Sequence, residues 1–180
     1  MFDDADRAAL ARFRSGDPVA FRELVERYQR PVYNAAFWIL RDAEDARDVA
    51  QTVFLTLAER ADEYDPRHKL FSWIYRMAVN EALNVARRNG REEALDEDAD
   101  LPDEDAAGPE RSAEDGERAR AVRGALARMS VSDRTVITLR HFAELPYSEI
   151  AVALGIDEKT VKSRLFDARQ RLRALLPRQL

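Results

Sequence analysis

Apolar residues recur along the first half of this chain at helical spacing. Phe21, Leu24, Val25 and Tyr28 stand at i, i+3, i+4 and i+7, and Val32, Ala36 and Leu40 continue the stripe. That period predicts an amphipathic helix with one buried face. Asp17 is placed to cap it, Pro18 suits its first position, and Pro31 inside it is expected to bend or locally open it. Before it, Asp3 to Arg14 reads as a short helix stopped at Ser15-Gly16. After it, Asp42 caps a helix over Ala43–Arg60, Pro66 breaks the loop ADEYDPRHKLF (61–71), and a further helix runs from Ser72 to Arg88. No convincing alternating strand pattern interrupts these signals, so the expected fold class is all-α.

The second half carries a more specific pattern. Glu117 to Met129 reads as one helix and Asp133 to Phe142 as another, the latter capped by Ser132. In PYSEIAVALGIDEKTVKSRL, Pro146 starts a helix bearing Ile150, Ala151 and Leu154. Gly155 then supplies a left-handed turn, Ile156 plugs the corner, and Asp157 caps a long last helix. Ala151, Gly155 and Val161, at offsets of four and six, have the spacing of a helix-turn-helix. On the last helix Val161, Leu165, Ala168, Leu172 and Leu175 form an apolar seam, while Lys159, Lys162, Ser163, Phe166, Gln170 and Arg173 face the other way. For an arbitrary helix that polar face would be read as solvated. As the second helix of a helix-turn-helix it is the face offered to the major groove, with cations for phosphates or guanine edges.

Charge divides the chain into three. Residues 1–91 hold 15 acids and 15 bases, residues 92–117 hold 13 acids and one base, and residues 118–180 hold six acids and 13 bases. The formal net charge of −5 over 180 residues therefore hides a neutral part, an acidic part and a basic part. The acidic part has Pro102, Gly108, Pro109 and Gly116 and almost no large apolar side chain, so it is read as a flexible spacer. The expected organisation is two small helical domains, 1–91 and 117–180, joined by the linker 92–116. No cysteine is present, which removes disulfides, thiolate metal sites and a cysteine nucleophile. The opening residues FDDADR have neither the basic nor the apolar region of a secretory leader, and no apolar run reaches the ~20 residues of a membrane helix, so a cytoplasmic location is expected.

In combination these segments resemble a known family. The core EIA…LG…TVKSRL…AR..LR within LARMSVSDRTVITLRHFAELPYSEIAVALGIDEKTVKSRLFDARQRLRALL is similar to the fourth domain of extracytoplasmic-function sigma factors of bacterial RNA polymerase. GDPVAFRELVERYQRPVYNAAFWIL, DAEDARDVAQTVFLTL and FSWIYRMAVNEALNVARR resemble the second domain of the same family, in the family's order. The resemblance implies a protein that binds core polymerase and directs it to a two-element promoter, with no enzymatic activity of its own and no cofactor. It also implies an anti-sigma protein as a partner.

The same resemblance implies the site residues. The helix Ala43–Arg60 would dock on the clamp of the largest polymerase subunit through Asp48, Gln51, Thr52 and Leu55, with Asp45 beside them; an outward leucine flanked by acids suits a buried contact with a basic rim. The unpaired −10 strand would meet the loop residues Tyr64, Arg67, His68 and Lys69. It would continue along Trp73, Arg76, Asn80, Asn84 and Arg87, which share one face of the fourth helix. An aromatic ring, amides and cations together are what a single-strand site needs. The −35 duplex would meet Lys159, Thr160, Lys162, Ser163, Arg164, Phe166, Arg169 and Arg173. His68 and His141 have no ligand cluster around them, so no metal site is expected. Two other classes remain open: a stand-alone operator-binding regulator, and a metal-dependent helical hydrolase using Glu44, Asp45 and Asp48.

Overall fold

The computed structural model describes residues 3–90 and 113–177, so the greater part of the expected acidic linker lies outside the described residues. Among the described residues eight α-helices make up the frame: α1 (Asp3–Arg14), α2 (Pro18–Leu40), α3 (Ala43–Glu59), α4 (Leu70–Arg88), α5 (Ala113–Ala127), α6 (Val131–Ile137), α7 (Tyr147–Leu154) and α8 (Glu158–Leu175). A 3-10 turn, Ala61–Glu63, comes after α3, and a π-helical turn, Thr138–Phe142, extends α6. No strand occurs among the described residues.

The caps explain most helix starts. Asp17 accepts from the Val19 N–H, Asp42 from Glu44 and Asp45, and Asp157 from Thr160, each satisfying donors that the first turn leaves orphaned. One cap differs from expectation. Ser130, not Ser132, accepts from the Asp133 N–H, so α6 begins at Val131 and Ser132 is exposed. Pro31 lies inside an uninterrupted α2. α5 begins at Ala113, four residues before the expected boundary.

α2 is the spine of the first module. Its buried residues Leu24, Tyr28, Val32, Ala36 and Ile39 share one apolar core with Val49, Val53 and Leu57 of α3 and with Ile74, Ala78, Val79 and Ala82 of α4. Beneath α1, buried Asp6 accepts from the Arg27 guanidinium and the Tyr28 hydroxyl, which ties α1 to α2 by a charge-assisted network. In the second module Leu126, Met129, Val136, Ile137, Leu165 and Ala168 close around α8.

The two modules are packed against each other. Leu139, Ala143, Leu145 and Ile150 of the second belong to the same buried cluster as the core of the first. Trp38 stacks on Phe142 with ring centroids 5.4 Å apart. Arg134, 1% exposed, donates to the carbonyls of Ala127 (3.1 Å) and Met129 (3.0 Å) in its own module and of Ile39 (3.0 Å) in α2.

Candidate polymerase and promoter-DNA surfaces

The α7–α8 corner has helix-turn-helix geometry. Gly155 sits at φ +64, and its N–H reaches Val152 O at 3.4 Å while the Ile156 N–H reaches Ala151 O at 3.0 Å. Those paired bonds form a Schellman turn. A Cβ on Gly155 would meet nothing within 4 Å, so glycine is required by the backbone dihedral and not by crowding. Ala151 and Val161 are buried at the helix contact, as the spacing predicted.

Along α8 the expected DNA face is outward. Lys159, Lys162, Ser163, Arg164, Phe166, Arg169 and Arg173 are exposed, Phe166 at 61%. Thr160 is half-buried and its hydroxyl donates to Asp157, so it serves the cap as well as lying on the surface. The π-helical turn adds two residues that sequence reasoning assigned no part. The His141 Nε2 accepts from Arg169 Nε at 3.2 Å, and Arg140 lies over the Tyr147 ring, with Lys162 on the same ring. Partial burial, then the neighbouring Arg169 and Arg140 cations, push the His141 pKa down, which keeps the ring neutral and able to accept. Helical periodicity could not reveal this, since the extra residue of a π-turn rotates every later side chain on its helix.

On α3 the expected polymerase stripe is likewise outward: Asp48, Gln51, Thr52 and Leu55 are exposed, Leu55 at 57%, and Asp45 is half-buried. Asp45 accepts from the Asn89 side chain at 3.0 Å, which joins the start of α3 to the end of α4.

The −10 loop and α4 divide. Arg67, His68, Lys69, Asn80, Asn84 and Arg87 are exposed and Arg76 is half-buried. Tyr64 departs from expectation. It is 7% exposed, its ring lies 5.5 Å from that of Trp73, and its hydroxyl donates to the His68 carbonyl at 2.6 Å. A ring so enclosed braces the loop and cannot stack on a base. Trp73 is half-buried and packed on the core. Arg67 is held by Asp65 through its backbone and guanidinium, and those hydrogen bonds bring the Asp65 pKa down to about 2. No group of three or more potential metal ligands occurs among the described residues.

Residues 24–92 match the family model of Sigma-70 region 2, and residues 119–172 match Sigma-70, region 4. Over 98% of this chain and 97% of the relative, the sequence is 31% identical to RNA polymerase sigma-H factor of Pseudomonas aeruginosa. It is 33% identical to the ECF RNA polymerase sigma-E factor of Haemophilus influenzae, over 92% of each chain. The chain belongs to the extracytoplasmic-function sigma factors. It is a transcription initiation factor and not an enzyme: it binds core RNA polymerase and directs it to promoter DNA. The fold agrees, with a TM-score of 0.68 and 28% identity to CnrH solved with the cytosolic domain of CnrY, covering 95% of this sigma factor and 96% of that chain. No helix among the described residues is long and apolar enough to cross a membrane.

Proposed function

We propose that this sigma factor divides its work among three surfaces on two modules, 1–91 and 117–180. The α3 stripe of Asp45, Asp48, Gln51, Thr52 and Leu55 holds the polymerase clamp. The loop Arg67–Lys69 and the α4 face of Trp73, Arg76, Asn80, Asn84 and Arg87 take the unpaired −10 strand. The α8 face reads the −35 duplex. The observation that carries the division is exposure against pattern: each face is mostly polar or cationic and mostly exposed, with Asp45, Trp73, Arg76 and Thr160 half-buried, while the opposite side of the same helix is buried in a core. Leu55 supports the clamp assignment, since a leucine exposed amid acids gains little in water and much in a protein interface.

The acidic segment 92–116 acts as a spacer between the two reading modules. The work is done in the cytoplasm. An anti-sigma protein holds the factor inactive until a signal releases it; the similarity to CnrH, solved with a protein partner, supports this reading.

The test is transcription in vitro with core polymerase on a promoter library, beside a core-binding titration. Asp48→Arg with Leu55→Ala is expected to weaken core binding by about 2 kcal/mol or more, as central interface positions do, with helicity unchanged. Core affinity equal to wild type in that variant would remove the clamp assignment.

A further inference from the structure

Surface arginines of this protein are held in two different ways. Arg12, Arg67 and Arg171 are fixed by carboxylates, Arg171 by Asp133 at 2.7 Å. Such a partner orders the guanidinium but cancels much of its charge. On and beside the −35 face of α8 the holders are neutral. Arg140 lies over the Tyr147 ring at 5.4 Å from its centroid, and Lys162 over the same ring at 5.8 Å. His141 Nε2 accepts from Arg169 Nε at 3.2 Å and from Nη2 at 3.1 Å. Three cations are ordered there with their charge left for a polyanion.

The chemistry of the His141–Arg169 pair fixes its protonation state. A guanidinium has only donors, so both bonds need the imidazole lone pair at Nε2, and the ring proton sits on Nδ1. His141 takes the Nε–Nη2 edge of Arg169, which leaves the end fork of Nη1 and Nη2 for another acceptor. That fork suits the O6 and N7 of guanine. His141 reaches Arg169 because of the π-turn. The Ala143 N–H bonds the Thr138 carbonyl at 3.0 Å, five residues back, and the extra residue turns neighbouring side chains by about 100° relative to an uninterrupted α-helix.

We propose that His141 is a positioning residue for base readout: its neutral imidazole pins the Arg169 guanidinium, so that Arg169 sets sequence preference in the −35 duplex and not affinity alone. The proposal rests on the −35 reading above. An unpinned arginine samples many rotamers and meets whichever phosphate is near. A pinned one has already lost that freedom and presents its fork in one direction. Phosphate contact carries no sequence information, whereas a directed contact at a base edge does. Protonating the imidazole removes the lone pair and sets a third cation beside Arg169 of α8 and Arg140 of its own turn. Around these, α7 supplies Tyr147 with Arg140 and Lys162 on its ring, α6 supplies Asp133, which Arg171 occupies, and α2 supplies Arg41 over the Trp38 ring. Burial and the two arginines lower the His141 pKa from 6.5, so release of Arg169 falls below that pH. It exchanges sequence preference for one more nonspecific cation.

The test uses holoenzyme reconstituted with wild type, His141→Gln, His141→Leu, Arg169→Ala and the variant combining His141→Leu with Arg169→Ala. Each is equilibrated with a promoter library randomised over the −35 element, and the bound DNA is sequenced at pH values from about 5.5 to about 8. Arg169→Ala is expected to lose preference at one or two base pairs by about fivefold or more. His141→Leu loses preference at the same base pairs with core binding unchanged, and the combined variant is no worse than Arg169→Ala. His141→Gln, whose amide oxygen still accepts, keeps most of the preference. In wild type the preference fades below pH 6.5; His141→Gln, with the same polymerase and the same His68, does not follow it. Full preference in His141→Leu, or a wild-type pH profile matching that of His141→Gln, overturns the positioning role. So does unaltered preference in Arg169→Ala, which would leave Arg169 on phosphates alone, and so do losses in His141→Leu spread over the whole element, which would make His141 structural. The −35 reading stands in all of these cases. Wild type without any −35 preference removes that reading, and the positioning role with it.

Discussion

Arg134→Met removes a side chain whose bonds span both modules. Arg134 is 1% exposed and serves three carbonyls, those of Ala127, Met129 and Ile39, at 3.0–3.1 Å. Methionine fills similar volume and offers no donor, so three acceptors lose a charged partner inside the protein. A buried acceptor left without its partner costs about 1–3 kcal/mol, and relief from desolvating the guanidinium returns part of the loss. The net destabilisation is about 3 kcal/mol. With a urea dependence of about 1–3 kcal/mol per molar, the unfolding midpoint falls by about 1–3 M. Urea titration followed by far-UV circular dichroism measures this, and tryptophan emission reports on the seam because Trp38 packs on the second module. Arg134→Lys is expected to fall between the two, since one ammonium cannot reach carbonyls held in a fork. A midpoint within about 0.3 M of wild type, on an unchanged slope, would refute the reasoning: the carbonyls would then be satisfied without the arginine.

The surfaces give further expectations. Asn80→Ala lowers open-complex formation on a cognate promoter more than it lowers duplex −35 binding, because base readout discriminates sequence and phosphate contact does not; equal losses on both would make Asn80 a structural residue. Asp167 is exposed beside the −35 face, and Arg171 is engaged elsewhere, with Asp133 at 2.7 Å. Asp167→Arg therefore tightens duplex binding regardless of sequence and steepens log affinity against log salt by about one unit, whereas an unchanged slope means residue 167 points away from phosphates. His141, lowered from 6.5, contributes stability that is present above that value and lost as pH falls through its lower folded pKa. An NMR titration of the full chain is expected to place its midpoint below 6.5, with Arg169→Ala moving it upward; a midpoint at or above 6.5 contradicts the Arg169 contact.

The sequence by itself determined the helices and what each turns outward. Period 3.6 marks a buried stripe, and whatever lies opposite must face solvent or a partner; Leu55, Asn80 and Phe166 could be placed on outer faces for that reason. Asp17, Asp42, Asp157 and Gly155 were legible because capping and left-handed turns are local chemistry, fixed by a few neighbouring residues. Tertiary structure decided what depends on residues distant in the chain. Tyr64 was expected to meet DNA because its loop resembles the family's −10 loop, yet it is buried, with its ring against that of Trp73, nine positions on. Ser130 took the cap from Ser132, and the π-turn brought His141 to Arg169, 28 residues away. Two independent domains were expected from the acidic break between them. Their packing rests on Arg134 reaching Ile39 across 95 residues and on Trp38 meeting Phe142. No local pattern encodes such pairs, because each partner alone reads as an ordinary arginine or aromatic on its own helix, and only the folded chain brings them into contact.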